Sequence, residues 1–494
     1  MPAFRITGTS GAAGMATVGP GASRSRLRWA RCLLWRRNAV IPIHARIAAP
    51  NRDTFGMEDE TRVCTVAFGR PRYVGFAAGS VVFAFRRSAQ TGVGWIAGPG
   101  AGEGPVRMSA LEQPRLVPVS RVALVHDSFT QWGGAERVAA AFHRMFPEAP
   151  VYTLAVNRAI LPPEMANAEF RTSFLQDWPG MPALGAFKRY LPLLPRAAES
   201  LRVEGFDLVI SSSSAFAHGA QIPTRNHVAY IHNTMRFAWD YAAYMRDVAW
   251  PGLIKAAGRI AVPTLQAWDR AAGRRPGMLI ANSRVVAERI GKRWGRTAAV
   301  LPPPVDVEGI ALSLRPRRYF CVVSRLVPYK RIDLAIAAAA QAGERLVVVG
   351  DGPDLPRLRA LAGPQVAFVG WVSEAEKLRI LGEAHALVMP GVEDFGMVSV
   401  EANAAGTPVL AQAAGGALDS QQPGVTGVLT AAGSPEAFAA GMREIRAASW
   451  DRSVIRVHSE RFSTRAFRLG MTRNLRQWQE SGGERLVDAR FQFA

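Results

Sequence analysis

Cysteine is scarce in this 494-residue chain, with three residues (Cys32, Cys64 and Cys321) spread across it. An odd, widely spaced set supports neither a disulfide framework nor a zinc cluster, and it fits a reducing cytoplasm. Long apolar runs are missing as well. The best, YVGFAAGSVVFAF at 73–85, has 13 residues between arginines, well short of the roughly 20 that a spanning helix needs. The GxGxxG fingerprint of dinucleotide sites is not among the glycine turns, and no RNP-like aromatic strand or zinc finger is present. Lysine is absent from residues 1–107, which carry 15 arginines. That segment is rich in Gly and Ala and shows no sustained period of 3.6 or 2. We read 1–118 as an Arg/Gly/Ala-rich extension, disordered and outside the folded core, with Met108 an alternative start and a transit peptide the rival reading.

What remains is an ordinary globular composition, 49% hydrophobic and 20% charged, in a chain long enough for two or three domains. The formal charge of +21 is uneven. Residues 1–120 carry 16 basic against 6 acidic side chains, residues 121–300 carry 22 against 13, and residues 301–494 carry 22 against 20. A basic bias limited to the first 300 residues suits nucleic acid, an anionic membrane or a polyanionic substrate.

Order becomes legible at Arg121. RVALVHD reads as a buried parallel strand, and QWGGAERVAAAFHRMF as a glycine turn opening an amphipathic helix. VYTLAV, DLVISSS, HVAYIHN and GMLIANS continue as strands between helical stretches. LPPPVD at 301–306 breaks the pattern, which restarts with YFCVVSRL, ERLVVVGDG, QVAFVGWV, HALVMPG and TPVLAQ. The alternation predicts an α/β chain of two Rossmann-like doubly wound domains facing a central cleft. Their limits are 119–305 and 306–460, followed by a C-terminal helix and tail at 461–494 that crosses back to the first domain.

In such sheets ligands bind at the carboxyl ends of the strands, where four loops draw notice. Gly133-Gly134 lets backbone amides approach an anion or a sugar at a helix N-terminus, or is simply a tight turn. SRLVPYKRID places Arg325 and Lys330 five positions apart, which suits a diphosphate: arginine grips bidentately and lysine acts as a mobile point charge. In GVEDFGMVSVE, Glu393 and Glu401 are two carboxylates able to accept from vicinal hydroxyls. The amides of Phe395, Gly396, Met397 and Val398 lie between them at the positive end of a helix. AAGG at 413–416, with Gly415 and Gly416, closes the same cleft with unencumbered backbone.

From about Arg121 to Gln479 the chain resembles retaining glycosyltransferases of the two-Rossmann, GT-B type, family 4, through QWGGAER, SRLVPYKR, VVVGDGP and EDFGMVSVE in order. VALVHDSFTQWGGAERV and YIHNTMRFAWDY further resemble a bacterial subgroup of O-antigen and exopolysaccharide mannosyltransferases. The resemblance implies that Glu393 contacts the donor sugar and Glu401 the nucleotide ribose, while Arg325 and Lys330 hold the diphosphate. Gly133 and Gly134 approach the donor phosphate, Gly396, Met397 and their neighbours support the sugar, and His232 faces it. Relatives usually carry Thr-Pro where Asn233-Thr234 stand. The implied enzyme is a hexosyltransferase, its best donor GDP-mannose and its acceptor a lipid-linked glycan in polysaccharide or lipopolysaccharide synthesis. No Asp-x-Asp pair occurs, and neither a metal nor another cofactor is expected.

The acceptor side in this family is the basic N-terminal half, so a peripheral place at the inner face of the plasma membrane is expected. Residues 187–202 and 253–275, which mix leucines with cations, are candidates for that contact, or amphipathic helices covering the sheet. A non-hydrolysing epimerase and a non-catalytic assembly scaffold are the alternative functions.

Overall fold

The computed structural model describes residues 121–183, 187, 189–242 and 252–481, the backbone alone at 253–255 and 257. It also describes seven strand segments within residues 1–120, paired antiparallel in three small sheets. These belong to a unit of their own, Met1–Glu112. The rest of the extension, and with it the expected disorder, lies outside the described residues.

From Arg121 onward the apolar runs become parallel strands. The first sheet contains β1 Val122–His126, β2 Val151–Thr153, β3 Phe170–Thr172, β4 Leu208–Ser213, β5 His227–Ile231, β6 Met278–Ala281 and β7 Ala299–Val300. Its spatial order is β3-β2-β1-β4-β5-β6-β7, every neighbour parallel. The second sheet repeats the plan with β8 Tyr319–Val323, β9 Leu346–Val349, β10 Val366–Gly370, β11 Ala384–Met389, β12 Val409–Gln412 and β13 Gly427–Thr430. Its order, β10-β9-β8-β11-β12-β13, is again wholly parallel. β1, β4 and β5 are buried almost throughout, as strands covered on both faces must be. Both sheets reverse their winding between the first strand and the fourth, which opens a crevice beyond β1/β4 and another beyond β8/β11.

Helices cross between the strands, α1 Gly134–Met145, α2 Gly252–Gly273, α3 Arg284–Trp294, α4 Ile332–Ala342, α5 Glu374–Glu383 and α6 Met397–Ala404, and α7 Pro435–Ala447, α8 Arg452–Ser459 and α9 Thr464–Glu480 follow the last strand. Their ends follow local chemistry. The hydroxyls of Ser283, Ser373 and Ser434 accept from the amides of Val286, Glu376 and Ala437, and α3 stops at Gly295 in the left-handed region. Beyond the second domain, α9 returns to the first. Its Phe467, Met471, Leu475 and Trp478 share a core with Leu124, Phe142 and Tyr230, the Phe467 ring 5.4 Å from Phe142 and 5.7 Å from Tyr230.

The two leucine-and-cation stretches are largely committed to this architecture. Leu194, Ala197, Ala198 and Leu201 are buried, with Phe187, Tyr190 and Leu191 packed on them. The apolar side expected to be open to a membrane at 187–202 therefore faces the protein core. In α2, Leu265 and Trp268 pack on the same core while Ile260 stays 80% exposed.

One carboxylate organises the packing of α2. Asp269 is fully buried, and its Oδ2 accepts from the indole N–H groups of Trp239 and Trp294, each at 2.7 Å. Its Oδ1 lies 3.3 Å from His218 Nε2, itself fully buried, and Ser213 Oγ meets the other ring nitrogen at 2.8 Å. Removing one member of such a set strands the others without water. Asp269→Ala is expected to cost about 3–5 kcal/mol of stability, read as a fall in urea midpoint. A variant with an unchanged midpoint would show that the indoles and His218 find other partners.

Candidate active site

The loops singled out from the sequence gather at the two crevices. The β8 loop carries Arg325 and Lys330, the β11 loop carries Glu393, and these are the two strands flanking the switch in the second sheet. Lys330 Nζ and Glu393 Oε1 form an ion pair, both side chains largely sheltered. The lysine stands on a tight turn, Pro328–Lys330, closed by Arg331 at φ 52°, the one non-glycine residue at positive φ among the described residues. That turn packs directly on Gly391, where a Cβ would stand 2.9 Å from the backbone of Tyr329 and Lys330. Arg325 is exposed and loosely held, with its guanidinium 3.4 Å from Gln131 Oε1 and 3.3 Å from Tyr329 OH.

Glu401 lies one turn into α6 and is nearly buried. Its Oε2 accepts from Lys377 Nζ at 2.7 Å, and its Oε1 from Arg137 Nη1 at 2.9 Å. Lys377 and Arg137 also meet Glu374, at 2.7 and 3.4 Å, so two cations and two acids alternate. Gly396 opens α6 at φ 84°, a conformation a side chain rarely adopts. Phe395 turns inward, its ring 5.6 Å from Phe462 in a buried cluster, so this residue offers the crevice backbone alone.

The glycine pairs divide. Gly133 N–H donates to Glu136 Oε2 at 2.9 Å, the acidic half of a capping box, and burial raises the Glu136 carboxyl above its usual range. Gly134 is exposed and faces Met397, whose sulfur would be 3.2 Å from a Cβ there. Gly415 and Gly416 were expected as open backbone, and the structure corrects this. Gly416 N–H donates to Glu393 O at 2.8 Å, and Cβ atoms on the two would stand 2.4 Å from Glu393 O and 2.2 Å from Phe395 Cα. They buttress the Glu393 loop from behind.

His232, at the end of β5, bonds Ser212 Oγ through Nε2 at 2.8 Å, and Ser212 also meets His126. Burial, then the neighbouring His126, pull its pKa down to about 3. The ring is neutral at physiological pH and lends no positive charge to a diphosphate. Its neighbours Asn233 and Thr234, flagged as departures, both have partners. Asn233 Nδ2 donates to Asp394 Oδ2 at 2.7 Å, and Thr234 Oγ1 accepts from Arg293 at 2.6 Å.

Sequence reasoning missed the contacts that join the halves. Arg289 forms an ion pair with Asp394, next to Glu393. Arg284 pairs with the buried carboxylate of Asp419 and donates to Leu418 O at 2.7 Å. The Arg236 guanidinium lies 4.8 Å from the centre of the Tyr329 ring. Arg137 was overlooked inside a motif whose glycines were read. It stands on the helix three residues after Gly134, with no local mark of a partner 264 residues away.

Two family models match. Residues 132–308 match Glycosyltransferase Family 4, and residues 312–454 match Glycosyl transferases group 1. Each of the two parallel-sheet halves is thus similar to a glycosyltransferase domain. It is 31% identical over 208 residues to a GDP-mannose-dependent alpha-mannosyltransferase of Mycolicibacterium smegmatis, 38% of this chain and 53% of that protein. It is 35% identical over 151 residues to a D-inositol 3-phosphate glycosyltransferase of Mycolicibacterium gilvum, 28% of this chain and 34% of that one. The chain thus spans about a third to a half of the curated relatives it matches. Among solved structures, Anabaena HepE in complex with UDP and glucose superposes with a TM-score of 0.54 at 19% identity, covering 72% of this chain and all of that one. Sucrose-phosphate synthase from Thermosynechococcus elongatus gives 0.54 at 18% identity, over 73% of this chain and all of its own. The fold is GT-B.

The imidazole of His227 is held near 3 like that of His232, mainly by burial. Both rings charge near 6.5 once unfolded, so below that pH the unfolded chain binds protons that the folded chain does not. Stability is therefore expected to be fully present above about 6.5 and to fall as pH drops toward 3. Urea midpoints from pH 7 to 4 check this against a double His227→Gln, His232→Gln variant, whose slope should be shallower. Equal slopes would remove these two histidines as the cause.

Proposed function

We propose that the glycosyltransferase domains act as one retaining hexosyltransferase, moving mannose from GDP-mannose to a lipid-linked glycan. The observation that carries this reading is the Lys330–Glu393 pair, set beside Arg325 at the switch point of the second sheet. A carboxylate and an ammonium in contact match a sugar joined to a diphosphate: hydroxyls on one side of the reacting bond, growing negative charge on the other. The activities for which relatives are named support the donor. Besides the M. smegmatis protein, a GDP-mannose-dependent phosphatidylinositol monomannoside mannosyltransferase of Mycobacterium tuberculosis is 31% identical over 195 residues.

In the reaction, the bond from the sugar's anomeric carbon to the diphosphate oxygen breaks as the acceptor oxygen bonds to the same face. The departing oxygen takes the acceptor's proton. Lys330 and Arg325 stabilise the charge that collects there, so no metal or other cofactor has a required part. Glu393 accepts from the sugar hydroxyls and holds the ring in register with the leaving group. Glu401 accepts from the ribose, the exposed backbone at Gly134 approaches the phosphate, and α6 turns its positive end to the sugar. The enzyme works at the inner face of the plasma membrane in cell-surface glycan synthesis, with α2, carrying exposed Ile260 beside Arg259, against the lipid.

Mass spectrometry of products from a panel of nucleotide sugars, with host lipid-linked acceptors, tests the reading. Transfer from GDP-mannose with retention, undiminished by EDTA, is the expected result. Epimerisation of donor alone, or activity restored only by a divalent ion, would overturn it. Lys330→Ala and Arg325→Ala are each expected to cost about 2–4 kcal/mol in the transition state, seen mainly in kcat. Glu393→Gln should lose turnover by orders of magnitude while still binding GDP. Near-normal turnover in Glu393→Gln would remove it from the sugar site.

A further inference from the structure

The motif QWGGAER reaches across the cleft. Two side-chain contacts link the N-terminal parts of α1 and α6, one helix from each domain: Met397 Sδ lies against Gly134, and Arg137 meets Glu401 one turn further along. Glu401 is 5% exposed, and so little solvent is available to stabilise its charge. Lys377, from the same domain, supplies one cation and Arg137, from the other, supplies the second.

We propose that Arg137 is a positioning residue that prepares Glu401 for the nucleotide. A carboxylate offers about four acceptor directions. Lys377 takes one on Oε2 and Arg137 one on Oε1, which leaves a lone pair on each oxygen for a vicinal diol. Without Arg137 the carboxylate is held by Lys377 at Oε2, and nothing from across the cleft fixes Oε1. Because Arg137 belongs to the opposite domain, the ribose subsite is complete only when the domains are docked as they are here. Nucleotide affinity therefore includes the free energy of that docking, and nucleotide binding in turn favours it. Arg137 touches no reacting atom, and the contact it supports is present before and during transfer, so it acts on affinity rather than on the chemical step.

This inference rests on the ribose role proposed for Glu401, and calorimetry separates the two. GDP, and UDP in parallel, are titrated into the full-length protein and its variants. Arg137→Ala is expected to weaken nucleotide binding by about tenfold, the loss of one hydrogen bond to a charged group. In turnover it should raise KM by a similar factor with kcat within about twofold. Arg137→Lys, which keeps a cation of shorter reach, should recover part of the affinity, whereas Arg137→Met should not. Arg144→Ala, on the same helix as Arg137, removes an exposed pair with Glu164 and should leave affinity unchanged. A wild-type chain that binds neither nucleotide would sink the glycosyl-transfer reading itself. A wild-type chain that binds one, with Arg137→Ala binding equally well while Glu401→Ala binds weakly, would overturn the positioning role alone, whereas unchanged binding by Glu401→Ala would remove the ribose role beneath it. Tighter binding by Arg137→Ala would overturn it too, by showing that the arginine competes with the nucleotide for Glu401.

Discussion

A carboxylate withdrawn from water must be compensated nearby, and Glu401 is compensated from two directions at once. Taking a charge out of water costs several kcal/mol even after relaxation, and attraction offsets that cost only where the partners are close and well aligned. Lys377 is available whatever the arrangement of the domains, since α5 and α6 belong to the same sheet system. Arg137 is not, because α1 belongs to the other. Glu374 completes an alternating set of two positive and two negative groups, so the cluster as a whole is neutral. The meeting of the two halves is thus written into the electrostatics of a single residue, and the neighbouring cross-cleft contacts repeat its form.

Asp394 receives Arg289 and Asn233, and Asp419 receives Arg284. In each case the cation comes from the first domain and the acid from the second. The uneven charge of the sequence acquires a structural meaning here: part of the excess of 22 basic over 13 acidic residues in 121–300 faces acids across a cleft. Ion pairs and hydrogen bonds suit such a seam. A large apolar interface would fuse the domains, whereas polar contacts of modest net strength let them part and meet again, as a buried ligand site requires.

The doubly wound order was legible because buried parallel strands are apolar throughout and their separating helices are amphipathic. YFCVV, LVVV and HALVM could hardly be anything else. Phe170–Thr172, Ala299–Val300 and Gly427–Thr430 were not read as strands, since two to four residues carry no period and edge positions need no continuous apolar run. At the site, Glu393, Lys330 and Arg325 were legible as types and spacings on strand-end loops. Arg137 with Glu401 was not. The two are 264 residues apart, and nothing local marks an exposed-looking helical arginine as the partner of a distant acid. Glycine was ambiguous for a different reason. Gly415 and Gly416 have no room for side chains because the backbone of the Glu393 loop presses on them, whereas Gly134 is exposed and meets only the flexible end of Met397. Close approach of backbone to a ligand and close approach of backbone to protein leave the same letter in the sequence.

The two acids of the E-x7-E element therefore differ in how they are set. Glu393 finds its cation, Lys330, within its own domain, on a turn stiffened by Pro328 and closed by a left-handed Arg331. Gly391 in front of it and Gly415-Gly416 behind it leave no slack in that loop. Its geometry can exist in the second domain alone. Glu401 is only half provided for until α1 arrives. Asp394 ties even the first loop to the partner domain, one residue beyond the carboxylate that matters, so docking tightens what is already shaped at Glu393 and completes what is unfinished at Glu401. On the proposed reading, such a site recognises the reacting end of its ligand with one domain and requires both for the remainder. Two sheets of the same winding order, placed with their switch points toward one another, are what make that division possible.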